Sequence, residues 1–153
     1  MKTPPSQSPA PSAVATESPL LEQMQRGQLL AAACPSREVL KHMTSRWGVL
    51  VLMVLATRMH RFSELRRTID GVSERMLAQT LQWLESDGLV DRIAYDVVPP
   101  HVEYRLTPLG QEAAEKVRGL ADWIETNLPR ILQAQDERRK EAASGGPGHD
   151  DSF

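Results

Sequence analysis

The chain has 153 residues, of which 41% are hydrophobic and 25% charged, with a formal net charge of −2. That length allows one domain with a proper core plus flexible ends. The mild acidity excludes a histone-like basic coat but leaves room for a local basic face. The longest apolar run, Val49 to Ala56, is too short to span a bilayer, and one cysteine excludes an intramolecular disulfide framework.

Residues 1–17 are rich in Pro and Ser, bury too little apolar surface to order themselves, and are expected to form a disordered extension. They do not resemble an apolar secretory leader, and the lone thiol fits a reducing compartment, so a cytoplasmic protein is expected. Ser18-Pro19 is suited to open a short helix over Leu20 to Ala32. Cys34-Pro35 begins a second helix, to about Met43. A third, from Arg46 to about Thr57, is apolar nearly all round and should be the centre of the core.

A short helical pattern follows from Phe62 to Ile69, with Phe62, Leu65 and Ile69 on one face. After a tight turn at Asp70-Gly71, Ser73 opens a helix that runs to about Ser86 with a stripe of Leu77, Leu81 and Leu84. Gly88 stands where a left-handed residue stops a helix. Two strand-like runs, Leu89 to Tyr95 and Val102 to Leu106, are joined by a tip carrying Pro99-Pro100. Thr107-Pro108 then caps a long helix whose apolar positions are Leu109, Ala113, Val117, Leu120, Ile124, Leu128 and Ile131. Pro129 should kink or divide it after Asn127, and the helix should end near Ala142. Residues 143–153 are expected to be a disordered tail.

The order helix, turn, helix, hairpin predicts a mostly α chain with a small β-hairpin (α+β): a winged helix-turn-helix domain over residues 18–142 that includes N- and C-terminal dimerisation helices. The C-terminal helix is longer than so small a domain can cover. Leu120, Trp123, Ile124 and Leu128 are therefore expected at an interface with a second copy.

In this layout the second helix of the motif enters the major groove. With its leucines inward, Arg75, Gln79 and Gln82 face out, flanked by Met76 and Thr80. Arginine and glutamine make bidentate contacts to guanine and adenine edges. Ser73 caps the helix near free backbone N–H groups that suit a phosphate. Between Arg58 and Arg75 five arginines stand against three carboxylates. Arg61 and Arg66 lie at the first helix, which crosses the backbone, and at least one arginine of Arg61, Arg66 and Arg67 should pair internally with Glu64 or Asp70. On the hairpin, Arg92, His101 and Arg105 are expected to approach phosphate or the minor groove.

Cys34 is the one candidate for covalent chemistry, because a helix start lowers thiol pKa and favours thiolate. The four histidines lack metal-ligand spacing. No Gly-rich phosphate loop, catalytic triad or paired-carboxylate signature is present. These features predict no metal, no cofactor and no enzyme.

Spaced elements of the chain resemble the HxlR family, the winged-helix transcriptional regulators related to MarR. They are Cys34-Pro35, Arg46-Trp47, Arg61-Phe62 with Glu64-Leu65-Arg66, Gly71-Val72-Ser73 with Arg75-Met76-Leu77, Asp87-Gly88-Leu89-Val90 with Arg92, Pro99-Pro100 with Val102-Glu103-Tyr104 and Leu106-Thr107, and Gly110. The resemblance spans roughly Cys34 to Ile124. It implies a homodimer in a bacterial cytoplasm that controls transcription at palindromic operators. Some members of that family sense oxidants or electrophiles through a cysteine in the position of Cys34. The chain departs from the pattern at Thr57-Arg58-Met59-His60, where a glycine-bearing turn is usual, and in its N-terminal extension.

The resulting expectation is a sequence-specific regulator, a repressor, that binds a double-stranded pseudo-palindromic operator as a homodimer, with Cys34 as the candidate redox site and an oxidant or small molecule as candidate effector. The alternative is a winged-helix module for protein–protein contact without specific DNA binding. A thiol peroxidase-like enzyme is a more distant third.

Overall fold

The computed structural model describes residues 34–146, together with residues 18, 19, 21, 22 and 31. The expected helix over Leu20 to Ala32, the N-terminal extension and residues 147–153 lie outside the described residues, apart from those few positions. The chain divides into two units, Met1–Glu38 and Val39–Phe153. Helix α1, Pro35–Thr44, begins in the first and ends in the second.

The second unit is built outward from α2, Arg46–Leu55. Ser45 caps it, its hydroxyl accepting from the Gly48 N–H at 3.1 Å. Gly48 is buried, and a Cβ there would run into the His42 carbonyl oxygen and the Ser45 hydroxyl, so only glycine lets α1 and α2 approach this closely. Val51, Leu52 and Leu55 are buried. Leu50 is 37% exposed, so the helix that reads as apolar all round keeps one edge at the surface.

Strand β1, His60–Arg61, leads into α3, Phe62–Thr68. Gly71 takes φ +82° in the turn. Helix α4 spans Glu74–Ser86, with the Ser73 hydroxyl accepting from the Met76 N–H at 3.1 Å. Its Leu77, Leu81 and Leu84 are buried against Val51, Leu65, Leu89 and Val90 of the same core. Gly88, φ +76°, ends the turn after α4, where a side chain at that φ would be strained.

Strands β2, Val90–Tyr95, and β3, His101–Leu106, form the hairpin, and β1 joins it to give a three-stranded antiparallel sheet of order β1-β3-β2. The sequence predicts two strands only, because a two-residue strand shows no period. In the register, Tyr95 pairs with His101, Ile93 with Glu103, Asp91 with Arg105 and Arg92 with Tyr104, while Arg61 of β1 pairs with Glu103.

Helix α5, Pro108–Ser144, starts at Thr107, whose hydroxyl donates to the Gly88 carbonyl at 2.6 Å and accepts from the Gly110 N–H at 3.0 Å. A Cβ on Gly110 would collide with the Leu89 carbonyl oxygen, so this glycine sets how closely α5 lies on the base of the wing. Pro129 does not divide α5, which runs on without a break and ends at Ser144, near the expected Ala142. Proline removes one intrahelical bond, to the Glu125 carbonyl, and residues 125 and 129 are both exposed, so water can replace that bond. Only the first third of α5 is buried, at Gly110, Ala114 and Val117.

Candidate nucleic-acid interface

Burying Leu77, Leu81 and Leu84 turns the other side of α4 to solvent, where Arg75 and Gln82 are exposed, Gln79 is half-buried and Met76 is 41% exposed. Arg75, Gln79 and Gln82 follow at intervals of four and three, so they form one strip beside the capped N-terminus and Ser73. Thr80 is not part of that strip. It is 1% exposed, and its hydroxyl donates to the Met76 carbonyl at 2.7 Å. Back-bonding to the preceding turn satisfies the hydroxyl and lets Thr80 join the leucine face, so no side-chain atom is offered to a duplex.

Three arginines around α3, Arg58, Arg61 and Arg66, are engaged, with partners other than those expected. Arg58, not Arg61 or Arg66, binds Glu64, at 3.0 Å. Arg61 Nε lies 3.8 Å from Glu103, and Arg66 lies 3.8 Å from Glu74 at the start of α4. The Arg58 hydrogen bond first, and the Arg61 backbone N–H second, hold the Glu64 carboxyl below its ordinary pKa. Arg67 and Arg75 are exposed and have no ion-pair partner among the described residues. Arg58, Arg61, Ser63, Glu64, Arg67 and Glu103 border a shallow depression beside the α3 start.

On the wing the register separates residues that the sequence groups together. His101, Glu103 and Arg105 lie on the same face as Tyr95 and Arg61, whereas Arg92 is paired with Tyr104 and so belongs to the opposite face. His101 stacks on Tyr95 with ring centroids 4.6 Å apart. Arg105 is 3.4 Å from Asp91. Arg92 is exposed and unpaired among the described residues. The tip itself, Asp96 to Pro100, is exposed, and its one charged residue is the acidic Asp96.

Sequence reasoning missed Glu103 and its partners. Strand alternation places Glu103 with His101 and Arg105, but nothing in the sequence shows β1 bringing Arg61 beside it.

At the far end of α4, His42 Nδ1 is 2.7 Å from an Asp87 carboxylate oxygen, and the His42 ring lies 5.1 Å from that of Trp83, nearly parallel. Cys34 is half-buried, just ahead of α1. Its pKa is lowered, first by a backbone hydrogen bond from Arg37 and then by hydrogen bonds from Ser36, with desolvation opposing. On α5, Leu120 (49%), Trp123 (58%) and Ile124 (41%) are exposed, and Leu128 is half-buried. Among the described residues no helix is long and apolar enough to cross a membrane, and no cluster of His, Cys, Asp and Glu is placed to hold a metal ion.

A helix-turn-helix with a polar strip on its second helix and an antiparallel hairpin at its side defines a winged-helix transcriptional regulator. Residues 42–132 match the HxlR-like helix-turn-helix family, and the chain belongs to it. It is 66% identical over 119 residues to the HTH-type transcriptional regulator YtfH of Escherichia coli strain K12, covering 78% of this chain and 94% of that one. The solved structure of the ytfH regulator from Salmonella typhimurium superposes with a TM-score of 0.68 at 63% identity, over 71% of this chain and 96% of that one. The redox regulator HypR in its reduced form gives a TM-score of 0.59 at 33% identity, over 65% of this chain and 98% of that one. The protein is therefore a transcriptional regulator with a DNA-binding helix-turn-helix.

Proposed function

We propose that the protein is a cytoplasmic repressor that binds a pseudo-palindromic operator as a homodimer, with α4 in the major groove of each half-site and the wing on the flanking backbone. The observation that carries this reading is the α4 strip: Arg75, Gln79 and Gln82 stand opposite a leucine stripe that is completely inside the core. Ser73 and Met76 flank the strip on α4, and Arg66 lies beside Glu74 at its start. Arg61, at the start of α3, meets the DNA backbone, and His101 and Arg92 serve from opposite faces of the wing. The apolar stripe Leu120, Trp123, Ile124 and Leu128 on α5 is the surface for the second copy.

The test is operator affinity against salt, using fragments that the protein selects from its own genome. Neutralising phosphates releases counterions, so log K should fall linearly with log salt, by about 0.9 for each phosphate contacted. One fragment should win over random duplex by about 10³-fold or more. Equal, weak binding to all duplexes would leave only a protein-contact module.

Cys34 is the proposed sensing residue, supported by its lowered pKa and by the likeness to a redox regulator. With one cysteine in the chain, oxidation joins Cys34 to a second copy's Cys34 or to a small thiol. A disulfide between copies requires Cα atoms within about 7 Å. Diamide would accept the two hydrogens lost from the thiols. Operator binding by the parent should change on adding diamide and recover with dithiothreitol, while Cys34→Ser stays unresponsive. The same response in Cys34→Ser would end the sensing role.

A further inference from the structure

We infer that Glu103 is the positioning residue of the wing: its single carboxylate ties both ends of the hairpin tip to the start of the first motif helix and so fixes how the tip meets DNA. The inference rests on the DNA-binding reading above and assigns a role to a residue outside the α4 strip.

Three elements meet at this side chain. The Tyr95 hydroxyl, at the end of β2, donates to Glu103 Oε2 at 3.2 Å. His101 Nε2, at the start of β3, lies 3.5 Å from Oε1, and Arg61 Nε, at the N-cap of α3, lies 3.8 Å from the same oxygen. Tyr95 and His101 are cross-strand partners whose rings stack, so they form the gate from which residues 96–100 hang. The Glu103 side chain is only 19% exposed, which shields these contacts from water more than an open surface pair. The Tyr95 phenol is correspondingly raised in pKa, first by its hydrogen bond to Glu103.

Electrostatics makes the assignment decidable. A carboxylate on a face that approaches phosphates repels them, so if Glu103 acted through charge alone its removal would strengthen DNA binding. A clasp predicts the opposite sign. Without Glu103, His101 and Arg61 lose their shared partner, and the tip must be ordered when DNA binds.

The experiment compares the full-length parent with Glu103→Ala, Glu103→Gln and Tyr95→Phe. Amide exchange should quicken in Glu103→Ala at residues 94–98 and 101–102, with exchange in α4 unchanged. Glu103→Gln keeps an acceptor for the Tyr95 hydroxyl and should restore part of the protection. On the selected operator, Glu103→Ala should bind about tenfold more weakly, the scale of one hydrogen bond to a charged group. It should lose hydroxyl-radical protection at the flanks but keep it at the centres of the half-sites. Tyr95→Phe in the Glu103→Ala background should add little, because the two act as one unit. Unchanged exchange at the tip overturns the clasp, whether or not any duplex is bound. A loosened tip with an intact flanking footprint, or with tighter binding, overturns its role on DNA. A parent that discriminates no duplex fails the DNA-binding reading, and the exchange result still decides the clasp.

Discussion

Replacing Ile124 and Leu128 by glutamate is expected to give a folded monomer that no longer holds its operator. Helix α5 is 37 residues, about 55 Å at 1.5 Å per residue, and its own domain covers it only as far as Val117. Beyond that point Leu120, Trp123, Ile124 and Leu128 continue the stripe at intervals of three, one and four, and Trp123 is 58% exposed, a large apolar surface for a single chain to leave in water. A second copy would cover this stripe. Two glutamates per chain would then have to be buried unpaired, which is strongly unfavourable. In one isolated chain the same positions border solvent, so helix content should survive in circular dichroism. Sedimentation velocity should report monomers. Losing the link between half-sites should weaken operator binding by roughly 10²–10⁴-fold, the usual gain from bivalency. A double variant that still sediments as a dimer would place the interface elsewhere on the surface.

The parts of the fold that were legible in the sequence are those where local chemistry and long-range packing agree. Ser73, the leucine stripe and Gly88 each mark α4 independently, and α4 spans Glu74–Ser86 as that pattern predicts. The period-two runs on either side of Pro99-Pro100 mark the hairpin in the same way. What escaped is set by partners distant in sequence. The two residues of β1 become a strand only because β3 lies beside them, and that pairing brings Arg61 to Glu103. Glu64 is taken by Arg58, six residues upstream, through a turn whose shape the sequence does not specify. Thr80 was readable in principle. It stands three residues after Leu77 and four before Leu84, inside the buried stripe, and its polarity hides a hydroxyl that the helix itself satisfies. Arg92 shows the cost of treating a hairpin as one surface: a single step in register moves a side chain to the other face.

Arg75→Ala and Gln79→Ala are each expected to weaken operator binding by about 1–3 kcal/mol, or roughly 5- to 150-fold, the range for losing a bidentate base contact. Arg75 is exposed without an ion-pair partner among the described residues, and Gln79 is half-buried one turn further along the same strip. Neither belongs to the buried core, so thermal midpoints should shift little, within the range typical of surface substitutions. If the two side chains read bases, each variant should also relax discrimination at one position of each half-site, while the salt dependence shifts far less than the affinity. Arg67→Ala supplies the contrast. An exposed arginine on α3 that meets phosphate should lower the salt slope by about 1 and weaken binding to all duplexes alike, with sequence preference intact. A panel of operators with single substitutions, titrated at two salt concentrations, separates the two behaviours. If Arg75→Ala or Gln79→Ala bound every operator as the parent does, that residue would not face the groove. A uniform loss with a reduced salt slope would instead reassign it to the backbone.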